Sequence, residues 1–202
     1  MTVWNDITSK QYRKLIKYAL TKSDAFLLVS LKEPSVFKLK ESVEKIKKLS
    51  PSLLQDPETI KKLTEKEQKG LWEKQIYTEY CVPFIKQIEP YLIKQRTNSI
   101  WPSTEVLSNP DCFIISVYTA DPTVLSLLFK PNSYLSWRYP YYPEDLSFFS
   151  KNRCWLYASS HEGYIEVYPE NIDEYNLLKN FGLNLSNKYV KTPIKSMFFE
   201  SY

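Results

Sequence analysis

His161 is the only histidine in the chain, and Glu162 follows it directly. An imidazole can act as a general base and a nearby carboxylate can tune it. Successive strand residues point to opposite faces, however, so the pair acts on one atom only where a turn brings the two side chains together. The string His161-Glu162-Gly163-Tyr164-Ile165 opens like a zinc-protease helix motif but has no histidine at its fifth position. One histidine and three scattered cysteines, Cys81, Cys112 and Cys154, do not supply four soft ligands at any usual spacing, so no metal is expected. Cys154 and His161 would make a nucleophile and its base only within hydrogen-bond reach. Along one extended strand they lie roughly 20 Å apart, and Cys154 reads as a small buried residue. No Gly-x-Ser-x-Gly elbow occurs, and Pro110-Asp111 lacks the downstream acid-x-lysine that a nuclease metal site of that type requires.

Glycine restricts the chemistry further. Gly70, Gly163 and Gly182 each stand alone, whereas loops that cradle phosphates need several glycines close together so that backbone N–H groups can approach. No nucleotide or other cofactor is expected.

The segment Trp137-Arg138-Tyr139-Pro140-Tyr141-Tyr142-Pro143 sets one arginine among aromatics, and residues 134–168 hold 11 aromatics in 35 positions. Such a composition can stack nucleic-acid bases. Glu144 and Asp145 sit immediately beside it, and residues 101–202 carry 8 Lys+Arg against 11 Asp+Glu, a local charge that opposes phosphate. Two readings stay open: an aromatic core, or a ridge that binds another protein, since Tyr, Trp and Arg are enriched at interface hot spots. On the second reading the candidate binding residues are Trp137, Arg138, Tyr141, Glu144, Asp145, His161 and Glu162. Residues 1–100 carry 19 Lys+Arg against 12 Asp+Glu, so the halves differ at −3 and +7. The basic half reads first as solvated helix surface and second as a face for an acidic partner.

These residues must be positioned by a chain of 202 residues, long enough for one sizeable core, with hydrophobic and charged fractions of 43% and 25% that suit a globular protein. Asn5 to Thr8 offer caps before Tyr12, Leu15, Ile16, Ala19 and Leu20, an apolar set at helical spacing. Residues 25–31 read as a strand and 34–49 as a helix. Asp56-Pro57-Glu58 starts a helical stretch to Arg96 that Pro83 and Pro90 kink or divide, with Trp72, Ile76, Tyr80, Phe84, Ile88 and Leu92 facing inward. Residues 112–119 read as a strand, 121–129 as a short helix, and Pro143-Glu144-Asp145-Leu146 as a helical turn. Residues 154–160 and 164–168 form a hairpin turning at His161-Glu162-Gly163, with Trp155 and Tyr157 on one face and Leu156 and Ala158 on the other. A helix over 171–181 stops at Gly182, and 183–190 adds a strand. Helices dominate the first half and strands the second, which points to one α+β domain with a helical N-terminal half and an antiparallel sheet with helices in the C-terminal half.

The block Ser136 to Phe149, with Pro143-Glu144-Asp145-Leu146 at its centre, then Cys154-Trp155-Leu156 and Ser160-His161-Glu162, resembles small uncharacterised proteins of Bacillus-type bacteria. Some of these carry a loose sporulation label, and they also share a Trp-Pro pair, here Trp101-Pro102. The resemblance spans residues 84–169 and implies a bacterial cytosolic protein without implying an activity.

Met1 to Asp6 show no basic start leading into an apolar run, and no window reaches the roughly 18 apolar residues of a membrane span. A cytoplasmic protein without a membrane partner is the expectation. The first functional reading is a non-enzymatic interaction protein of immunity or accessory type. An enzyme centred on His161, Glu162, Asp145 and Cys154 comes second, and a nucleic-acid binder using the basic helices third.

Overall fold

A computed structural model describes residues 2–4, 7–32, 57, 61, 64–102, 104–106 and 113–185. The expected helix over 34–49, the start at Asp56, Cys112, Pro110-Asp111 and residues 186–190 of the last expected strand lie outside them.

Nine strands are described: β1 (Thr2–Trp4), β2 (Ala25–Leu31), β3 (Leu92–Thr97), β4 (Ile100–Trp101), β5 (Thr104–Glu105), β6 (Phe113–Thr119), β7 (Glu144–Ser150), β8 (Arg153–Ser159) and β9 (Tyr164–Val167). Seven form one antiparallel sheet in the order β1-β9-β8-β7-β2-β6-β3, and β4 and β5 pair as a separate small ladder. The fold is α+β. The sheet nevertheless draws β1, β2 and β3 from the first hundred residues, so helix and strand do not divide by halves among the described residues.

Helix α1 (Ser9–Lys22) begins at Thr8, whose hydroxyl accepts from the Gln11 backbone N–H while the Gln11 side chain accepts from the Thr8 N–H, a reciprocal cap. It buries Tyr12, Leu15, Ile16, Ala19 and Leu20, the apolar set that the sequence spacing selects. Helix α5 (Ile172–Asn180) starts at Asn171, whose side chain accepts from the Glu174 N–H, and stops at Gly182 with φ +91. A Cβ there would come within 2.5 Å of the Gln11 amide, which donates to the Gly182 carbonyl, so glycine joins the two helix ends.

One sheet face packs under these helices through Phe26, Leu28, Tyr118, Phe148, Leu156, Ala158, Ile165 and Val167. The other carries Leu27, Val29, Ile115, Val117, Phe149, Cys154 and Tyr157, with Trp101 packed among them. Trp155 departs from the expected alternation. Phe148 opposes Leu156 while Phe149 opposes Cys154, which leaves Trp155 as the extra residue of a bulge. It therefore shares the face of Leu156, apart from Tyr157.

The stretch expected to be helical to Arg96 also behaves differently. Helices α2 (Glu65–Ile76) and α3 (Val82–Ile88) are joined by one π-helical turn, Tyr77–Cys81, and a short 3₁₀ turn at Pro90 leads into β3. Pro83 has no N–H for the Glu79 carbonyl and its ring crowds that turn, a strain that a widened turn relieves. The inward face is a regular helical stripe, but not the one expected. Tyr77, Cys81, Phe84 and Ile88 are buried, while Trp72, Tyr80 and Leu92, expected inside, are exposed. Residues 92–97 are an edge strand because Pro90 halts the helix and the following run can pair with β6.

Buried indoles all find acceptors here. Trp137 Nε1 donates to Tyr12 Oη at 3.0 Å, and Tyr12 in turn donates to the Leu128 carbonyl of α4 (Leu125–Leu128). Trp155 Nε1 donates to Ser23 Oγ at 2.8 Å. Replacing Trp137 or Trp155 by alanine is expected to lower stability by about 3 to 5 kcal/mol, measured by urea denaturation. Unchanged melting in both variants would mean that neither ring is structural.

Candidate functional site

The candidate residues gather at one end of the sheet, where β2 ends and β7 begins, next to the end of β8 and its turn into β9. The segment 137–142 crosses this end and is clasped by the α2–α3 helical run through ring contacts. Phe84 meets Trp137 and Tyr142 with centroids 5.5 Å from each, and Tyr77 lies 5.5 Å from Tyr139. The peptide bond between Tyr139 and Pro140 is cis.

Within this segment the side chains divide between inside and outside. Trp137 is fully buried, so its role is in the core and not at the surface. Arg138 is exposed. Tyr141 is 42% exposed and touches two other half-exposed rings, Trp72 (50%) at 6.5 Å and Tyr80 (49%) at 5.7 Å. Trp72, Tyr80 and Tyr141 form an outward aromatic ridge. The sequence reading missed Trp72 and Tyr80 because it took the series 72, 76, 80, 84 as the inward face, whereas the buried stripe is Tyr77, Cys81, Phe84 and Ile88, from which Trp72 points away by about 140° at 100° per residue.

Glu144 and Asp145 do not form a helical turn. β7 starts at Glu144, and Asp145 occupies the left-handed region at φ +54. The β2–β7 register shifts between Leu27 and Val29, so the extra residue falls on β7 at this point. A short polar side chain tolerates that conformation better than most. Asp145 is fully buried: its Oδ2 accepts from Trp101 Nε1 and its Oδ1 from the Ser160 N–H, both at 2.8 Å. Burial raises its carboxyl above the ordinary 3.8, against the opposing pull of the two N–H donors and of His161.

Glu144 has a different environment. Among the described residues its carboxylate accepts one hydrogen bond, from the Tyr139 N–H at 3.4 Å, and no ion pair includes it. Burial, and then the adjacent Asp145 charge, raise its carboxyl above the ordinary 4.5, while Tyr139, His161 and Arg138 pull the other way. Glu144 borders a narrow, partly open cleft that encloses only about 10 Å³, roughly the room for one water, with Tyr77, Cys81, Phe113, Tyr139 and Tyr142 among the walls.

The hairpin turn stands where the sequence places it. Gly163 has φ +78 and donates to the Ser159 carbonyl at 2.9 Å. His161 and Glu162 are both about half exposed, and the turn brings Nε2 to 3.9 Å from Oε1. Cys154 does not join them. It sits at the far end of β8 opposite Phe149, fully buried, with its thiol pushed well up by burial and donating to the Leu156 carbonyl. Cys81 is also buried and its thiol is pushed up to about 12. Neither suits a nucleophile, which works as the thiolate. No group of three or more metal-ligating side chains occurs among the described residues, and no described helix is long and apolar enough to cross a membrane.

Because the folded pKa of Glu144 exceeds the unfolded one, its ionisation disfavours the fold. Its contribution to stability should fall as pH rises past 4.5 and through the raised folded value. Glu144→Gln removes that effect. The melting temperature of the variant relative to the parent should therefore increase between about pH 4 and pH 7, and a difference that shrinks with pH would contradict a desolvated carboxylate. Comparison of the chain with family models, with curated proteins and with solved structures returned no match.

Proposed function

We propose that this chain is a non-enzymatic protein that binds another protein through the ridge of Trp72, Tyr80 and Tyr141. The observation that carries the reading is the contact of Tyr141 with both Trp72 and Tyr80, three large aromatics each close to half exposed, on elements whose inner faces are packed. Scattered apolar residues are normal on a surface, but a contiguous aromatic cluster marks a binding face. Trp and Tyr offer wide contact at low entropic cost, since each has only two side-chain torsions to fix. The bacterial and cytoplasmic setting implied by the resemblance belongs to the same proposal, as does the immunity or accessory type. Free, buried Cys81 and Cys154 are consistent with a reducing compartment.

Two raised carboxyls beside His161 favour a second reading, an acid–base enzyme, since perturbed groups cluster at functional sites. Against it, both Asp145 oxygens are occupied by structural donors and Cys154 is remote and buried. A nucleic-acid role would use Lys10, Arg13, Lys14 and Lys17, which lie exposed on the outer face of α1, a pattern that a solvated helix shares.

Affinity capture with the whole chain as bait, run beside Trp72→Ala and Tyr141→Ala, tests the first reading. Each variant should keep its melting temperature, because half-exposed surface positions change stability by only about 0.5 kcal/mol. Each should weaken the partner by about 2 kcal/mol, on the order of 30-fold in Kd. Variants that bind every partner as tightly as the parent would remove the ridge from the account. For the second reading, His161→Ala should change neither stability nor partner binding. An activity that drops on the order of 100-fold in that variant, the size expected for loss of a general base, would put the enzyme in its place.

A further inference from the structure

We infer that the outward face of α1 binds a short acidic segment of a partner protein, whose carboxylates match the spacing of Lys10, Arg13, Lys14 and Lys17. The surface is separate from the ridge, and the inference stands without it. All four cations are exposed and follow one another three or four positions apart. At about 100° per residue they share an arc of roughly 100°, on the side away from buried Tyr12, Leu15, Ile16 and Ala19. The stripe they form is about 10 Å long. Residues 9–22 include no acid. Among the described residues none of the four cations stands in an ion pair, and Arg13 lies over the Phe129 ring, 4.7 Å from its centroid.

A helix that only faces water has no use for this arrangement. Like charges three and four positions apart repel one another. Lys10, in the first turn, also meets the positive end of the helix dipole, where acids are favoured. Helix α2 shows the ordinary alternative in the same chain: Glu65, Lys69, Glu73 and Lys74 mix the two signs, and Lys69 pairs with Glu73 at 3.8 Å. The α1 stripe is thus unfavourable to the isolated chain on two counts, and an anion laid along it relieves both.

The surroundings limit the length of that anion. Gln11 donates to the Gly182 carbonyl and Lys22 pairs with Glu174, so α5 runs antiparallel beside α1. Beyond Lys17 the positive stretch ends, because Glu174 neutralises Lys22 and the exposed acids Asp24 and Asp173 follow. A nucleic-acid duplex carries one charge per roughly 1.7 Å and would run on into those acids, and tight binding to it commonly draws on about 6 to 10 phosphate contacts. Ser9 and Thr21 are the other exposed residues of α1, so the face offers no aromatic ring to stack a base. A few carboxylates on a short protein segment fit both the length and the charge of the stripe.

The test is an NMR titration of the ¹⁵N-labelled full chain with an alanine-rich peptide of about 20 residues, long enough to hold a helix, that carries four glutamates at the spacing of the stripe. Controls are a glutamine copy, a copy with the same glutamates spread around the helix, and a DNA duplex. The striped peptide should give saturable shifts at the amides of Lys10, Arg13, Lys14 and Lys17, with a Kd on the order of 100 μM that weakens as salt is raised. The glutamine copy should give none, and the spread copy should bind about tenfold more weakly or worse. Lys10→Gln combined with Lys14→Gln should weaken the striped peptide by about tenfold or more, while the melting temperature holds or rises because repulsion is relieved. Absence of shifts with the striped peptide, or equal binding of the spread copy, would reduce the face to a solvated helix surface and overturn the inference. Unchanged affinity in the double variant would move the binding off α1. Tighter binding of the duplex, with a salt slope worth several phosphates, would assign the face to nucleic acid instead.

Discussion

A carboxylate withdrawn from water must be given donors, and the groups that hold Asp145 come from separate parts of the chain. Trp101 reaches it from the β4–β5 ladder and the Ser160 N–H from the end of β8, while the Asp145 N–H donates to the Trp137 carbonyl ahead of β7. Leaving either oxygen unpaired would cost about 1 to 3 kcal/mol or more for a charged group, so these segments are bound to one another through a single side chain. The left-handed backbone at Asp145 aims that side chain at them. Once it is fixed, the start of β7, the hairpin turn beyond β8 and the Trp101 ring over the second sheet face all have determined places.

The aromatic segment 137–142 obeys a related constraint. Tyrosine and tryptophan bring large apolar rings with one polar atom each, and burying the ring obliges the chain to supply a partner for that atom. Trp137 finds Tyr12 on α1, and Tyr134 Oη donates to the Leu146 carbonyl at 3.0 Å. The segment is thus anchored on one side to α1 and β7, and on the other it meets the α2–α3 run through ring contacts. Rings without polar obligations to the interior, such as Tyr141, are left to the surface. On the proposed reading, such anchoring of the segment that carries Tyr141 would lower the entropic cost of binding through the ridge.

Much of this was legible in residues whose local preference and tertiary environment agree. The α1 core positions, the Gly163 turn, the Gly182 stop and strand β2 follow from spacing and glycine placement alone. The failures have different causes. Trp155 left its expected face through a bulge that no residue in the sequence marks. Trp72 and Tyr80 were assigned to the wrong one of two apolar series on the same helical run, since the buried stripe is Tyr77, Cys81, Phe84 and Ile88. Residues 92–97 have apolar and charged residues mixed enough to fit either helix or strand, and pairing with β6 decided between them. For the site, His161 and Glu162 stand half exposed at the turn where the hairpin reading puts them, whereas Tyr141 belongs to a segment for which core and ridge both stayed open. Trp137 and Asp145 carry the same composition signal, but only the three-dimensional partners show that they are internal.

Glu144 and Asp145 are neighbours with opposite circumstances, and the contrast bears on function more than either residue alone. Both carboxyls are raised chiefly by burial, yet Asp145 gains two short N–H donors in return and Glu144 gains one long contact. A desolvated carboxylate beside a second one is a liability in the isolated chain, since like charges and low polarity both oppose ionisation. Among the described residues Glu144 has no ion pair, although Arg138 lies only six positions earlier and is exposed. Loss of the Glu144 charge therefore relieves the fold, whereas loss of the Asp145 carboxylate strands the Trp101 and Ser160 N–H groups that it satisfies.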